Sequence, residues 1–557
     1  MRRIFLLLTL TVAFTFGWSQ PWLKNLPTEK SQEQLTLYDH QKAFNAYWEN
    51  FTMERGFYFD SEGKKHKAPG WKQYKRWEWF MESEVDAETG AFPKTTANEV
   101  YQKWHAANPQ QKSRAANWEV MGPNSSGGGY AGIGRINSVS FHPTDNNTWW
   151  IGAPAGGLWE TTDNGSTWTC LTDNNAVLGV SDIYIPDDYE TSNTIYIATG
   201  DKNAWDNNSV GVLKTTDGGS TWETTGLSFS VGQSKMVTRL LAHPNDNQTI
   251  IAATSDGVYK TTNGGQTWDE QLTTYSFKDM EYKPGDFNTF YGSTSDGRIY
   301  YSNDGGATWS QSLSTGTGRV ELAVTAAEET FVYAIVSAND NGLYGIYKST
   351  NSGETFTQVL DGTVSGNNLM GWYEGDDSGG QGWYDLAIAA SPIDGNIVLI
   401  GGVNTWRTTD GGENWDLVNH WYGHYGAQAV HADKHMLKYR ANGDLFECND
   451  GGVYISDNDG ASNSWTDKTN GMEISQIYKL GVASTASTDV ILGLQDNGTK
   501  LTYNNGNWAD VIGGDGMECL IDYSIRPIGD KWSDLHQKNC IENASKEIAF
   551  YADFKYL

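Results

Sequence analysis

From Asn117 onward, short apolar runs alternate with polar, glycine-rich ones at nearly constant spacing. Each unit opens with an apolar run ending in x-Pro. A second apolar run follows, then a Gly-aromatic-x step, then a polar phrase closed by an aromatic residue. The proline-to-tryptophan offsets in four units are 25 (Pro143, Trp168), 24 (Pro244, Trp268), 25 (Pro284, Trp309) and 23 (Pro392, Trp415). Offsets this constant predict the same strand lengths and turns in each copy. About four short antiparallel strands per unit is the size of one propeller blade.

The polar phrase reads Ser/Thr-x-Asp/Asn-x-Gly-x-x-Trp/Phe. Clean copies start at Thr161, Thr215, Thr261, Ser302, Ser349 and Thr408, spaced 41 to 59 residues apart; blurred copies run from Ser456 to Trp465 and from Thr502 to Trp508. Its composition predicts a tight hairpin. The glycine accepts a positive φ. The Asp or Asn side chain can hold nearby backbone N–H groups. The third position is Asp163, Asp217, Asn263, Asp304, Asn351 and Asp410 in turn. A turn tolerates that Asp/Asn exchange, whereas carboxylate chemistry does not, so these six residues are expected to be structural.

Before the repeats the pattern differs. Residues 1–19 (MRRIFLLLTLTVAFTFGWS) read as a secretory signal, with Arg2 and Arg3 ahead of an apolar stretch from Ile4 to Phe16. That stretch is too short to anchor the chain, and no later segment is long and apolar enough to span a membrane. Residues 20–116 carry no repeat and have helical patches at Leu35–Phe51 and Ala97–Ala107. The stretch Gly70–Val85 mixes basic and aromatic residues and is expected to be an extended arm packed on the main body. Residues 117–523 hold the repeats. Residues 524–557 contain one glycine and no copy of the polar phrase, which predicts a truncated or frameshifted continuation.

Composition narrows the function classes. Glycine is abundant (62), proline scarce (13) and aromatics reach 13%, as in short strands joined by glycine turns. The formal charge is −29, and loss of Arg2 and Arg3 with the signal would take it to −31. Such a surface repels nucleic acid and favours solubility. The four cysteines, Cys170, Cys448, Cys519 and Cys540, show no CxxC spacing, so a zinc ribbon is not expected. No motif calls for a cofactor.

The repeated phrase resembles the Asp-box, or BNR, repeat of exported, sortilin-like bacterial propellers. HADKH (His431 to His435), NDGGVYIS (Asn449 to Ser456), GLQDNGT (Gly493 to Thr499) and GGDGMECLIDY (Gly513 to Tyr523) resemble other phrases of that family. The resemblance implies an all-β, multi-bladed propeller with seven or more four-stranded blades, either one large ring or one ring plus the start of a second. It also brings in sialidases, but arginine is sparse, and Gly134-Arg135-Ile136-Asn137 lacks the proline of their opening phrase. The tandem-propeller xyloglucan hydrolases are a nearer resemblance, through Gly127 to Pro143. They use two carboxylates across a cleft. Here Pro154 stands at the position of one acid, and Asp385, after Gly382-Trp383, is the weak candidate for the other.

Two further features carry candidate chemistry. His431, Asp433 and His435 alternate, so on a strand they would share one face and could bind a metal, or form a hydrogen-bonded set near the propeller axis. The loops Gly371–Asp385 and His420–Gly426, and the insertion Gly200–Gly211, are rich in aromatics. Trp372, Tyr373, Trp383, Tyr384, Trp421, Tyr422, Tyr425 and Trp205 are the candidate ligand-binding residues, because exposed rings stack on sugars and peptides and insertions on one face make binding surfaces. The expected function is a secreted or cell-surface module that binds a glycan or an extracellular protein. The alternative is a glycoside hydrolase acting on a polysaccharide.

Overall fold

The computed structural model describes residues 20–521, apart from residues 32–33, 55–56, 61–62, 94–99, 101–102, 105, 109–118, 176, 206, 231–232, 273–274, 484–486, 504–506, 518 and 520. The signal segment 1–19, the tail 524–557 and Cys540 therefore lie outside the described residues. So do parts of the patch Ala97–Ala107 and of the last blurred box. The chain forms two compact units, one holding the residues up to Ala116 and the other beginning at Asn117. Among the described residues, no helix is long and apolar enough to cross a membrane.

The first unit has its own core. Helix α1 (Leu37–Trp48) starts in a capping box made by Thr36 and Asp39. Helix α2 (Trp71–Met81) corrects the expectation of an extended arm. Trp71 and Tyr74 lie one turn apart, so a helix places both on one face. They pack with Trp22, Phe44 and Trp48 in a single buried cluster, and Phe44 stacks on Tyr74 at 3.9 Å between ring centres. The stretch's own aromatics thus fold into a local core.

The second unit is a β-propeller. Its eight blades are antiparallel sheets spanning residues 138–170, 180–228, 237–272, 279–314, 320–361, 387–420, 434–467 and 477–512. Seven have four strands, while blade 6 gains a short fifth strand, Gln428–Ala429, parallel to Asp416–His420. Alternation within a strand sends side chains to both neighbouring blades. In Trp149–Ala153 of blade 1, Trp149 and Ile151 enter a cluster shared with blade 7. Trp150, between them, enters the cluster shared with blade 2. Both faces are buried, which is why these strands read as continuous apolar runs.

The same arrangement recurs at every interface. Apolar clusters join blades 1 and 2, 2 and 3, 3 and 4, 4 and 5, 5 and 6, and 6 and 7. The cluster of Trp149, Ile151, Phe446, Cys448 and Ile455 joins blade 7 back to blade 1. The ring therefore closes at seven blades. Blade 8 lies outside it. Its inner strand Ile477–Val482 leaves Ile477, Leu480 and Val482 exposed, whereas the inner strands of the ring are largely buried.

The boxes fasten the hairpins between third and fourth strands. In blade 1 the Thr161 hydroxyl donates to Asp163 Oδ1 (2.9 Å) and accepts from the Gly165 amide (2.9 Å). The Thr167 amide donates to Asp163 Oδ1 (2.8 Å) and its hydroxyl to Oδ2 (2.8 Å). Asp217, Asp304 and Asp410 repeat the geometry. Asn263 and Asn351 reverse one bond, with the amide nitrogen donating to Thr267 (2.8 Å) and Thr355 (3.0 Å). A threonine hydroxyl can donate or accept, so either residue satisfies the turn. Hydrogen bonds from Thr221 hold the Asp217 carboxyl down at about 2. Of the described cysteines, Cys170 and Cys448 are free thiols.

Antiparallel order separates the two ends of the ring. Connections between first and second strands, and between third and fourth, emerge at one end, and the boxes lie there. Connections between second and third strands, and from blade to blade, emerge at the other. Residues 200–210, 362–386, 421–433 and 450–451 all belong to that second end.

Phe446 is fully buried at the closing interface, against Phe141 and Trp149. Phe446→Ala is expected to cost about 3–5 kcal/mol in urea unfolding. A loss under about 1 kcal/mol would contradict a ring closed between blades 7 and 1.

Candidate functional site

The second end is organised by a closed circuit of six buried polar residues. Arg135 lies on the lead-in to blade 1. Its Nη2 pairs with Asp201 Oδ2 at 2.5 Å, and its Nη1 donates to the Tyr384 hydroxyl at 3.0 Å. That hydroxyl donates to Asp450 at 2.8 Å. Asp450 also accepts from His435 Nε2 at 2.7 Å. His435 Nδ1 accepts from the Asn203 side-chain amide at 3.1 Å, and the Asn203 backbone N–H returns to Asp201 Oδ1 at 3.0 Å. Blades 1, 2, 6 and 7 each contribute.

The electrostatics fit this bonding. Burial works to raise the Asp201 carboxyl, but Arg135 and the amides of Asn203 and Ala204 hold it below the ordinary carboxylate range. Burial, helped by Arg135, holds His435 well below the ordinary imidazole value. A neutral ring then donates from Nε2 and accepts at Nδ1, as both partners require. Burial keeps the Tyr384 phenol protonated.

The candidate residues divide around this circuit. Tyr384 is buried in it rather than displayed to a ligand. Trp383, Trp372, Trp421 and Tyr422 are half-buried. Three rings are displayed, with fractional exposures of 48% for Trp205, 48% for Tyr373 and 42% for Tyr425. Trp205 and Tyr425 are also held at positive φ, 63° and 56°. Bulky residues reach that region only under strain. The Trp205 N–H donates to the Asp201 carbonyl at 3.1 Å, so its loop is tied to the circuit. Edge-to-face contacts join His420 to Tyr422, Trp421 to Tyr422 and His424 to Tyr425. From Glu374 and Tyr425 an open groove of about 460 Å³ runs past Trp406, Arg407 and Asp416 to Ser462.

The alternating HADKH set does not share a strand face. The strand begins only at Lys434 and ends at Tyr439, and Asp433 sits at φ 65°. The three side chains leave the turn in different directions. His431 Nε2 meets the Asp496 carbonyl (3.2 Å), Asp433 accepts from Gln381 (3.0 Å), and His435 joins the circuit. Among the described residues, no group of three or more His, Cys, Asp or Glu is arranged to hold a metal ion.

Asp385 is fully buried, and neither carboxyl oxygen has a hydrogen-bond partner. It lies within hydrogen-bonding reach of Asp433, a pairing unlike two acids spaced across an open cleft with room for water. Sequence reasoning passed over Arg135, Asp201, Asn203 and Asp450. Their signals were present, as the GRIN phrase, the GDKN start of an insertion and the NDGG turn.

No family model matches the chain. A xyloglucanase of Paenibacillus sp is 30% identical over 134 residues, 22% of this chain and 12% of that protein. A xyloglucanase of Acetivibrio thermocellus is 26% identical over 357 residues, 54% of this chain and 40% of that protein. The chain thus spans less than half the length of these relatives. Among solved structures, a GH74 enzyme of Niastella koreensis superposes with a TM-score of 0.50 at 16% identity, covering 71% of this chain and 69% of that one. An ancestral GH74 enzyme superposes with a TM-score of 0.52 at 18% identity, covering 70% and 55%. At these identities the likeness is one of fold.

Breaking the circuit at one member strands a buried charge. Arg135→Ala is expected to cost about 3–5 kcal/mol in denaturant unfolding. Asp201→Asn in the same chain is expected to restore part of the loss. Equal stability of Arg135→Ala and the parent would contradict the circuit.

Proposed function

We propose that this chain is an exported carbohydrate-binding propeller that holds a polysaccharide on the end of the ring opposite the boxes. The carrying observation is the pair of displayed, strained aromatics, Trp205 and Tyr425, on insertions at that end. Strain of this kind persists where the surroundings enforce it, and it clusters at ligand sites. Rings held rigidly in solvent suit stacking on sugar faces.

The boxes support a place among the exported Asp-box, sortilin-like propellers. Residues 1–19 support export. The similarity to xyloglucanases supports a β-glucan of the xyloglucan type as the first polysaccharide to try.

The same similarity favours a second reading, glycoside hydrolysis. Against Asp385 as its acid stand full burial and the immediate partner Asp433. Pro154, at the position of the other acid, has no ionisable group. Hydrolysis would need a different carboxylate pair.

Affinity electrophoresis in gels containing xyloglucan tests the proposal. The full chain is expected to be retarded. Trp205→Ala and Tyr425→Ala are each expected to weaken binding about five- to tenfold, the loss of one stacked ring. Absence of retardation on every polysaccharide tried would contradict it. Release of new reducing ends would favour the hydrolase.

A further inference from the structure

The buried pair beneath the aromatic insertion has no place in the binding surface itself. Asp385 closes a tight turn, in which the amides of Tyr384 and Asp385 both donate to the Gln381 carbonyl, at 2.7 and 3.0 Å. The Gln381 side chain reaches across to Asp433 Oδ1 at 3.0 Å. The turn is tied to blade 5 through the Gly382 amide and the Asn341 carbonyl at 2.9 Å. Asp433, on the turn before the inner strand of blade 7, is held at a positive φ of 65°.

Both Asp385 oxygens are buried without a well-aligned donor, and the groups that reach them are Asp385's own amide and the Asp433 carboxyl. A buried carboxylate in that position is costly. Two facing carboxylates cannot both ionise cheaply. One proton turns Asp385 into a donor and Asp433 into its acceptor, and satisfies both. We propose that Asp385 and Asp433 share a single proton, and that this carboxyl–carboxylate bond clasps the insertion Gly371–Asp385 onto the turn at 431–433.

The surrounding charges point the same way. Burial and then Asp433 push the Asp385 carboxyl well above the ordinary range. Burial, then Asp450 and Asp496, push Asp433 up, while Lys434 opposes them. Arg135 faces the neighbouring Tyr384 and His435. The two carboxyls titrate as a unit. The sign follows from the raised values: the clasp is complete below the ordinary carboxylate pKa of about 4 and is lost as pH rises through the pair's own pKa. Its consequence for ligand capture rests on the carbohydrate-binding reading; the clasp itself does not.

Hydrogen exchange of the full chain against pH, corrected for the intrinsic pH dependence of exchange, tests this. Protection of amides in 371–385 and 431–433 is expected to fall about tenfold per pH unit above the pair's pKa. Asp385→Asn supplies a permanent donor and should flatten that dependence. Asp433→Asn serves as the second variant should the first not fold. Flat exchange in the parent, or unchanged pH dependence in both variants, would overturn the clasp. So would protection that requires added Ca²⁺ and collapses with chelator, which would put a cation between the carboxylates. Xyloglucan retardation measured on the same samples separates the two ideas. Binding with flat exchange sinks the clasp alone, and pH-dependent exchange without binding sinks the carbohydrate reading alone.

Discussion

Each blade of this propeller is apolar on both faces, so none is satisfied until it has a neighbour on each side. That constraint organises the molecule. Strands such as Trp149–Ala153 feed two interfaces at once, and the series stops only where blade 7 meets blade 1. Phe446, Trp149 and Met436 provide the apolar seal there. The six-residue circuit from Arg135 to Asn203 spans the same junction and holds blades 1, 2, 6 and 7 together. Blade 8 shows the same constraint from the other side, with Leu480 57% exposed on its inner strand.

Ring closure also sorts the chemistry by end. The boxes repeat on one end, where their Asp and Asn residues spend their hydrogen-bonding capacity on their own hairpins. The aromatic insertions gather on the other end. The aromatic insertions are anchored there through Asp201 and Tyr384, two members of the circuit. Stability and the placement of the aromatic insertions thus share residues, so Tyr384 works from inside as a support for Trp383 and its neighbours.

Much of the fold was legible in the chain because the repeat is written in local terms. A glycine at positive φ, an Asp or Asn two residues after a hydroxyl and a tryptophan three after the glycine define a hairpin without tertiary help. The constant proline-to-tryptophan offsets then imply equal blades. The number of blades in the ring was not legible, since closure depends on the meeting of residues 300 apart, such as Trp168 and Lys468. The α2 stretch was misread because its charges masked a helical stripe of aromatics. The alternation of His431, Asp433 and His435 suggested one strand face, but the strand starts too late for that. The circuit was hidden because its members lie in four separate blades, and no local pattern links Arg135 to Asp450.

The central claim is that the end of the ring carrying the insertions is the ligand surface and the box end is only fastening. The most direct measurement is hydrogen-exchange footprinting of the full chain with and without a xyloglucan oligosaccharide. The account predicts slowed exchange in 200–211, 371–385 and 420–426, with the box hairpins at 161–168, 215–222 and 408–415 unchanged. Protection confined to the box hairpins, or spread equally over both ends, would contradict it.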